Sequence, residues 1–310
     1  MNTFQIIARG PYSLTSSARF LCGFTPAAGA STTLADGRLA LALLDDAAHT
    51  PRAVALSQRG DVVTGELADD APPAVVDAMA RQVARVLSLD HDATGLGAIG
   101  DRDPVVAALL AASPGFRPVC FPSPYEAAVW GVLAQRVAMP VAAAIKQRLA
   151  VATGTVAPGF GRAFHPSPAP SQLLSITQVP GLGDEKLARL HAVARAALDG
   201  GLDPLALVAM PRERALEHLR AIRGVGPWTA EHVLLRGCGV ADAMPTTEER
   251  VLRGIALAYG LPATPTPDQA LALAERWRPF RMWIAVRIAM HLGASGRWRR
   301  EGPSTTRSLP

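Results

Sequence analysis

The chain has 310 residues, 49% of them apolar and 18% charged, with a formal net charge of +5. That length and composition support a sizeable core and exclude an intrinsically disordered protein. No run of eighteen uncharged apolar residues occurs, and MNTFQIIARGPYS lacks the basic-then-apolar pattern of a secretory leader, so a cytoplasmic protein without a membrane span is expected.

Residues 1–66 carry strand-length apolar runs, TFQIIAR, RLALALLD, RAVALSQ and DVVTGELA, punctuated by turn residues. Asp36-Gly37 signals a hairpin, and Ser13 to Leu21 is compatible with one helix. Pro72-Pro73 opens AVVDAMARQVARVLSL, an amphipathic helix with Val75, Met79, Val83 and Val86 on one face. This region reads as a small α+β unit over residues 1–100. From about residue 94 the strand signals stop. Helices are predicted at Pro104–Ala112, Pro124–Ala138, Pro140–Thr153, Asp184–Leu198, Arg212–Ile222, Trp228–Gly237, Glu248–Tyr259, Asp268–Arg276 and Pro279–Leu292. Residues 154–170 read as a Gly/Pro-rich loop. The fold class is therefore α+β: an antiparallel sheet with helices, then an all-α domain of two lobes over 101–293, then a basic disordered tail over 294–310.

Cys22, Cys120 and Cys238 are far apart and form no metal-ligand or redox spacing. Charge is unevenly spread, −4 over residues 1–110 and +9 over 111–310. The basic residues are almost all arginine; the only lysines are Lys146 and Lys186. A basic C-terminal two-thirds points to a polyanion partner, and a solvated basic surface accounts for it equally well.

The informative segment is LRAIRGVGPWTAEHVLLRG, 219–237. A helix ends near Ile222, Gly224-Val225-Gly226 makes a tight turn, and Pro227 opens the next helix where its missing N–H costs nothing. Amides of such a turn and helix start point outward together and suit a phosphate without reading bases. A corner that only packs is the plainer reading of Gly-Val-Gly alone. VPGLGDEKLARL at 179–190 is a weaker echo of the same pattern.

The longer pattern, apolar-x-Gly-apolar-Gly-Pro-Trp-Thr-Ala, resembles the helix-hairpin-helix of DNA glycosylases, in particular the DNA-3-methyladenine glycosylase II family. Asp242-Ala243-Met244-Pro245-Thr246-Thr247-Glu248 is similar to the segment that ends in that family's catalytic aspartate. ERWRPFRMWIAVRIA, 275–289, resembles its C-terminal helix, and PYEAAVWGVLAQRVA, 124–138, the helix that leads to its strand-separating wedge. The similarity covers roughly residues 120–293. It implies a monofunctional glycosylase that flips an alkylated base out of double-stranded DNA and cleaves its N-glycosidic bond, a monomer working on the nucleoid. No organic or redox cofactor is implied; a monovalent cation at the hairpin carbonyls is.

Carried over residue by residue, the resemblance gives Glu248 as the catalytic carboxylate, and Gly224, Val225, Gly226 and Thr229 as the phosphate-binding turn. Trp228 and His232 fall in the base pocket, and Gln135 and Arg136 at the wedge. Several positions depart from the family: Glu248 stands for an aspartate, His232 and Ala289 for aromatics, and Arg136 for an apolar wedge. Glu248 also reads as a helix N-terminal acid facing the dipole, and Trp228 as a core residue. Asp242 is expected to cap or orient its loop; Arg220, Arg223 and Arg236 flank the hairpin as candidate DNA-backbone contacts, and each also reads as a plain surface charge. Where lyases carry a hairpin lysine, Trp228 stands. The alternatives are a lesion-binding protein with weakened chemistry, or a glycosylase of altered lesion specificity.

Overall fold

The computed structural model describes residues 2–294. The expected tail lies outside them, apart from residue 294 at the end of the last helix. In chain order the elements are β1 (Thr3–Ile7), α1 (Leu14–Gly23), β2 (Ser31–Thr33), β3 (Leu39–Leu44), β4 (Pro51–Arg59), β5 (Val62–Leu67) and α2 (Pro73–Val86). Then follow α3 (Gly97–Arg102), α4 (Pro104–Ala112), α5 (Pro124–Leu133), α6 (Met139–Thr153), β6 (Ala157–Gly159), β7 (Arg162–Phe164), α7 (Pro170–Ser175) and α8 (Asp184–Leu198). The chain continues with α9 (Pro204–Ala209), α10 (Arg212–Arg220), α11 (Pro227–His232), a π-helical turn (Val233–Gly237), α12 (Glu249–Tyr259), α13 (Pro267–Ala274) and α14 (Arg281–Ala294).

The described residues form two compact units that do not follow the expected boundary at residue 100. One joins the segment up to Gly95 with Ser113–Val240; the other joins Leu96–Ala112 with the chain from Ala241 onward. Sheet and hairpin segment thus share a unit, and α3 and α4 belong with the C-terminal helices.

In the first unit, a five-stranded antiparallel sheet has the order β1-β5-β4-β3-β2. Every residue of β3, LALALL, is buried. Leu39, Leu41 and Leu43 face the cluster that includes Met79 and Val83 of α2, while Ala40 and Ala42 pack with Ala157 and Phe164 of the β6–β7 hairpin. Both faces are covered, so the strand reads as a continuous apolar run. That small hairpin corrects the loop expected over 154–170. On α2 the deeply buried position is Val76, with Val75 only half-buried.

Helix α5 is the spine of the helical part, with all ten of its residues buried. It ends at Leu133, five residues before the expected end. Around it pack Ile145, Leu149, Leu190, Val193, Leu219 and Val233. Glu126 of α5 and Lys146 of α6 are buried beside a small enclosed cavity of about 40 Å³. Burial raises the Glu126 carboxyl and lowers the Lys146 amine, each charge opposing the other's shift. Lys146 Nζ donates to Pro26 O at 2.8 Å, tying α6 to the sheet region.

The second unit is held by a polar node. Asp103 Oδ1 accepts the amides of Val105 and Val106 at the start of α4. Its Oδ2 accepts Tyr259 OH at 2.7 Å, and Tyr259 OH accepts Trp277 Nε1 at 3.0 Å. Trp277 and Trp283 fill the core here.

Gly131 is the point where α5 admits its neighbour: a Cβ there would lie 2.5 Å from Thr229 Cγ2. Gly131→Ala should therefore cost about 1–3 kcal/mol through overpacking, although alanine in a helix interior is ordinarily better by about 1 kcal/mol. Thr229→Ser, which deletes that methyl, should recover most of the loss in the double variant, as read from denaturant midpoints.

Candidate functional site

The turn after α10 is built from backbone constraints. Val225 N–H donates to Ile222 O at 3.0 Å, closing it. Gly224 sits at φ +91, and a Cβ there would also meet Arg189 Cβ at 2.6 Å, so glycine is required twice over. Gly226 is extended at the N-cap of α11, and Pro227 occupies the first helical position. Val225 is buried and anchors the turn in the core. Thr229 is buried too, with its methyl against Gly131, so both Val225 and Thr229 face the turn's phosphate side with their backbone rather than an exposed side chain. Helix starts leave their first amides without intrahelical acceptors, and α11 has no acid in its first turn.

The echo at 179–183 has the same backbone. Leu182 N–H donates to Val179 O at 3.0 Å, Gly181 has φ +82, and Gly183 is the extended N-cap of α8. Its charge is opposite, because Asp184 and Glu185 occupy the first turn of α8. Two equal turns thus differ in what they present, and only the one at 222–227 favours an anion.

An open groove of about 550 Å³ runs beside this second turn, lined by Gln135, Arg136, Glu185, Arg189, Arg220 and Arg223 with the turn itself. Arg136 has φ +57 and an exposed side chain just past α5. Gln135 is a structural bridge: Nε2 donates to Gly224 O at 2.8 Å, and Oε1 accepts from Arg189 Nη1 at 2.9 Å. Lys186 Nζ donates to the carbonyls of Leu133 and Gln135, capping α5. Desolvation and then the charge of Arg189 push the Lys186 amine down. Arg220 and Arg223 lie in the groove as expected. Arg236 does not: it donates to Val119 O at 2.6 Å, lies over the Phe24 ring, and supports packing.

Trp228 and His232 come together, their rings stacked at 4.7 Å and 13°. His232 meets Phe121 edge-on at 5.0 Å, and Phe121 meets Phe24 edge-on at 5.4 Å. Trp228 is half-buried, with one face covered. Phe24 and Phe121 carry no sequence signal of this role, because they come from segments roughly 110 to 210 residues away.

In the second unit, the 242–248 loop is clamped by the helix entry that the sequence singled out. Arg278 Nη1 and Arg281 Nε donate to the two carboxylate oxygens of Asp242 at 2.9 and 2.7 Å. Arg281 Nη2 donates to Asp242 O at 2.9 Å, and Met282 N–H to Ala241 O at 2.9 Å. Asp242 is the orienting residue, as expected. Ala243, Met244 and Pro245 are buried. Glu248 is the N-cap of α12 rather than its first residue, and it makes no side-chain cap bond. Its side chain is 21% exposed, and Oε1 accepts from Arg250 Nε at 3.0 Å. Trp283 is core, packed on Phe280, and Ala289 is half-buried on α14. Among the described residues, no group of three or more His, Cys, Asp or Glu side chains is placed to hold a metal.

No protein-family model matches the chain. It is 26% identical over 200 residues to a DNA-3-methyladenine glycosylase of Bacillus subtilis, covering 63% of this chain and 66% of that one. It is 34% identical over 209 residues to a probable bifunctional transcriptional activator/DNA repair enzyme of Mycobacterium tuberculosis, covering 66% and 40%. The matches thus span just under two thirds and about two fifths of these relatives' lengths. In fold it is similar to a 3-methyladenine DNA-glycosylase from Archaeoglobus fulgidus, with a TM-score of 0.76, 18% identity, and 93% and 97% of the two chains covered.

Asp242→Ala should remove the clamp. With its carboxylate partly exposed, the loss of two charge-assisted bonds is expected to cost about 1–2 kcal/mol. Thermal unfolding should show a lower midpoint, and limited proteolysis should cut first within 242–248.

Proposed function

We propose that the chain is a member of the DNA-3-methyladenine glycosylase II family and hydrolyses the N-glycosidic bond of alkylated, 3-methyladenine-like bases in double-stranded DNA. The observation that carries it is the 222–227 turn, free of first-turn acids and set in an arginine-lined groove. Backbone amides there suit one phosphate, and Arg136, Arg189, Arg220 and Arg223 suit its neighbours without reading sequence.

The chemistry follows from the residues at hand. The damaged nucleotide leaves the stack, and Arg136 on its left-handed backbone fills the gap, stacking through its planar guanidinium. Trp228, on the face away from His232, receives the flipped base. The C1′–N bond breaks with its electron pair going to the base, which neutralises a base made cationic by alkylation. Glu248 carboxylate stabilises the oxocarbenium-like sugar, then accepts the proton that water loses as its oxygen bonds C1′. Glutamate reaches about 1.5 Å further than aspartate. The N-cap placement of Glu248, one residue outside the helix, and its bond to Arg250 set where that longer side chain stands.

Ile222 O and Gly224 O each already accept one hydrogen bond. A monovalent cation at this turn would use their remaining lone pairs and steady a bound phosphate; no chemical step here passes through it. The protein acts as a monomer on nucleoid DNA in this reading. No helix among the described residues is long and apolar enough to cross a membrane.

A second reading, a lesion-binding protein with weakened chemistry, is favoured by the Glu248–Arg250 pair and by His232 covering one face of Trp228. Base release from methylated duplex DNA separates the two. The wild-type protein should release methylated purines, and Glu248→Gln should lower the rate by about 10²-fold or more while duplex binding persists. Binding without release by the wild type would select the second reading.

The reaction stops at the abasic site. Both lysines are engaged, Lys146 buried on Pro26 O and Lys186 on the carbonyls that end α5. Neither is at the hairpin position where a Schiff-base amine would stand. Borohydride added during turnover should trap no covalent protein–DNA adduct, and the abasic strand should stay intact until alkali is added.

A further inference from the structure

The groove beside the 222–227 turn is basic at every charged position but one. Glu185 stands among Arg136, Arg189, Arg220 and Arg223. Its Oε1 accepts from Arg189 Nε at 3.1 Å, and its Oε2 from Arg223 Nη2 at 2.7 Å. One carboxylate thus holds two guanidinium groups, one on α8 and one in the turn. Those bonds and charges keep the Glu185 carboxyl below the usual carboxylate range. Glu185 and Arg223 are well exposed and Arg189 is half-buried, and pairs this open to solvent add little to stability. Holding the fold together therefore leaves the arrangement unexplained.

Two anionic oxygens directed at two guanidinium groups reproduce what the non-bridging oxygens of a phosphodiester would offer the same pair. Glu185 also stands where it would repel a phosphate approaching the turn. We propose that Glu185 is an internal phosphate mimic: it occupies Arg189 and Arg223 until a DNA phosphate displaces it, and so limits the grip on undamaged DNA. This inference rests on the DNA reading above. Undamaged DNA is held almost wholly through its phosphates, so two occupied arginines weaken that binding without touching base recognition. Arg189 extends the device to the wedge, since its Nη1 donates to Gln135 Oε1, and Gln135 Nε2 holds Gly224 O. A phosphate that draws Arg189 away from Glu185 pulls on the residue beside Arg136.

The test is binding of undamaged duplex DNA by the full chain between 50 and 200 mM salt. The variants are Glu185→Gln, the double variant Glu185→Gln with Arg223→Ala, and Glu66→Gln. Glu66 is paired with Arg38 on the sheet, outside the groove, and its change alters net charge equally. Glu185→Gln should bind about three- to tenfold tighter at low salt, with a log K against log salt slope steeper by about one to two. Glu66→Gln should match the wild type, and Arg223→Ala should remove much of the gain. If Glu185→Gln behaves like Glu66→Gln, or binds more weakly, the mimic is refuted while the DNA reading stands. If the wild type shows no salt-dependent duplex binding, the DNA reading falls and takes the mimic with it.

Discussion

The first unit depends on how closely α5 lets its neighbours approach. This helix is buried along its whole length, so it has no solvent side toward which strain can relax. The α11 segment and its π-helical turn reach it where a Cβ is missing: Gly131 under the Thr229 methyl, and Gly237 beside Pro124 Cα, at 2.8 Å from any Cβ it would carry. On its far side the turn meets α8, where Gly224 leaves room for Arg189. The turn is thus clamped between two helices by missing side chains rather than by strong bonds. Close-packed interiors transmit displacements instead of absorbing them. A turn held this way presents its amides from a fixed place, which a site built on backbone groups requires.

The same constraint explains what was legible in the sequence. Pro227 and the two glycines carry local φ/ψ demands, so the turn could be read from residue types alone. Helix α8 was read to the residue, and β1, β3, β4 and β5 to within two, because their period and punctuation are local. The end of α5 was missed. Nothing in Ala134–Ala138 breaks a helix by propensity; the break comes from Lys186, which takes the carbonyls of Leu133 and Gln135 from fifty residues away. Phe24 and Phe121 were invisible for the same reason. The burial of Thr229 was not legible either, because it depends on Gly131, nearly a hundred residues earlier. The domain boundary drawn at residue 100 was a composition boundary. Packing follows another line, with α3 and α4 held to the C-terminal helices through Asp103 and Arg102.

The two turns show that backbone shape alone does not make an anion site. Positive φ at the first glycine, an extended N-cap at the second and the same closing hydrogen bond recur at 179–183 and 222–226. What separates them is the first helical turn that follows: Asp-Glu in one, Pro-Trp-Thr without acids in the other. Acids there satisfy the helix dipole from within the chain, whereas their absence leaves that field for an external anion. The sequence echo is therefore structural, and its functional weight falls on one copy.

In the second unit, Asp242 is fixed by ion pairs, while the proposed chemistry falls on Glu248. Asp242 is held by two arginines and its loop carbonyl by a third bond, a degree of fixation that suits a residue whose task is placement. Glu248, six residues on, pairs with the exposed Arg250 and makes no cap bond, although it stands at the N-cap. A carboxylate that capped its helix would spend both charge and direction on backbone amides. One that does not cap is directed away from those amides. In the proposed reaction the work divides along the loop: Asp242 fixes the backbone, the buried Ala243-Met244-Pro245 stretch carries that fixation forward, and Glu248 stands at the far end. The additional methylene of glutamate then matters less as lost precision than as reach from a well-anchored backbone. On that proposal a conservative change at Glu248 would separate chemistry from folding, whereas a change at Asp242 would disturb both.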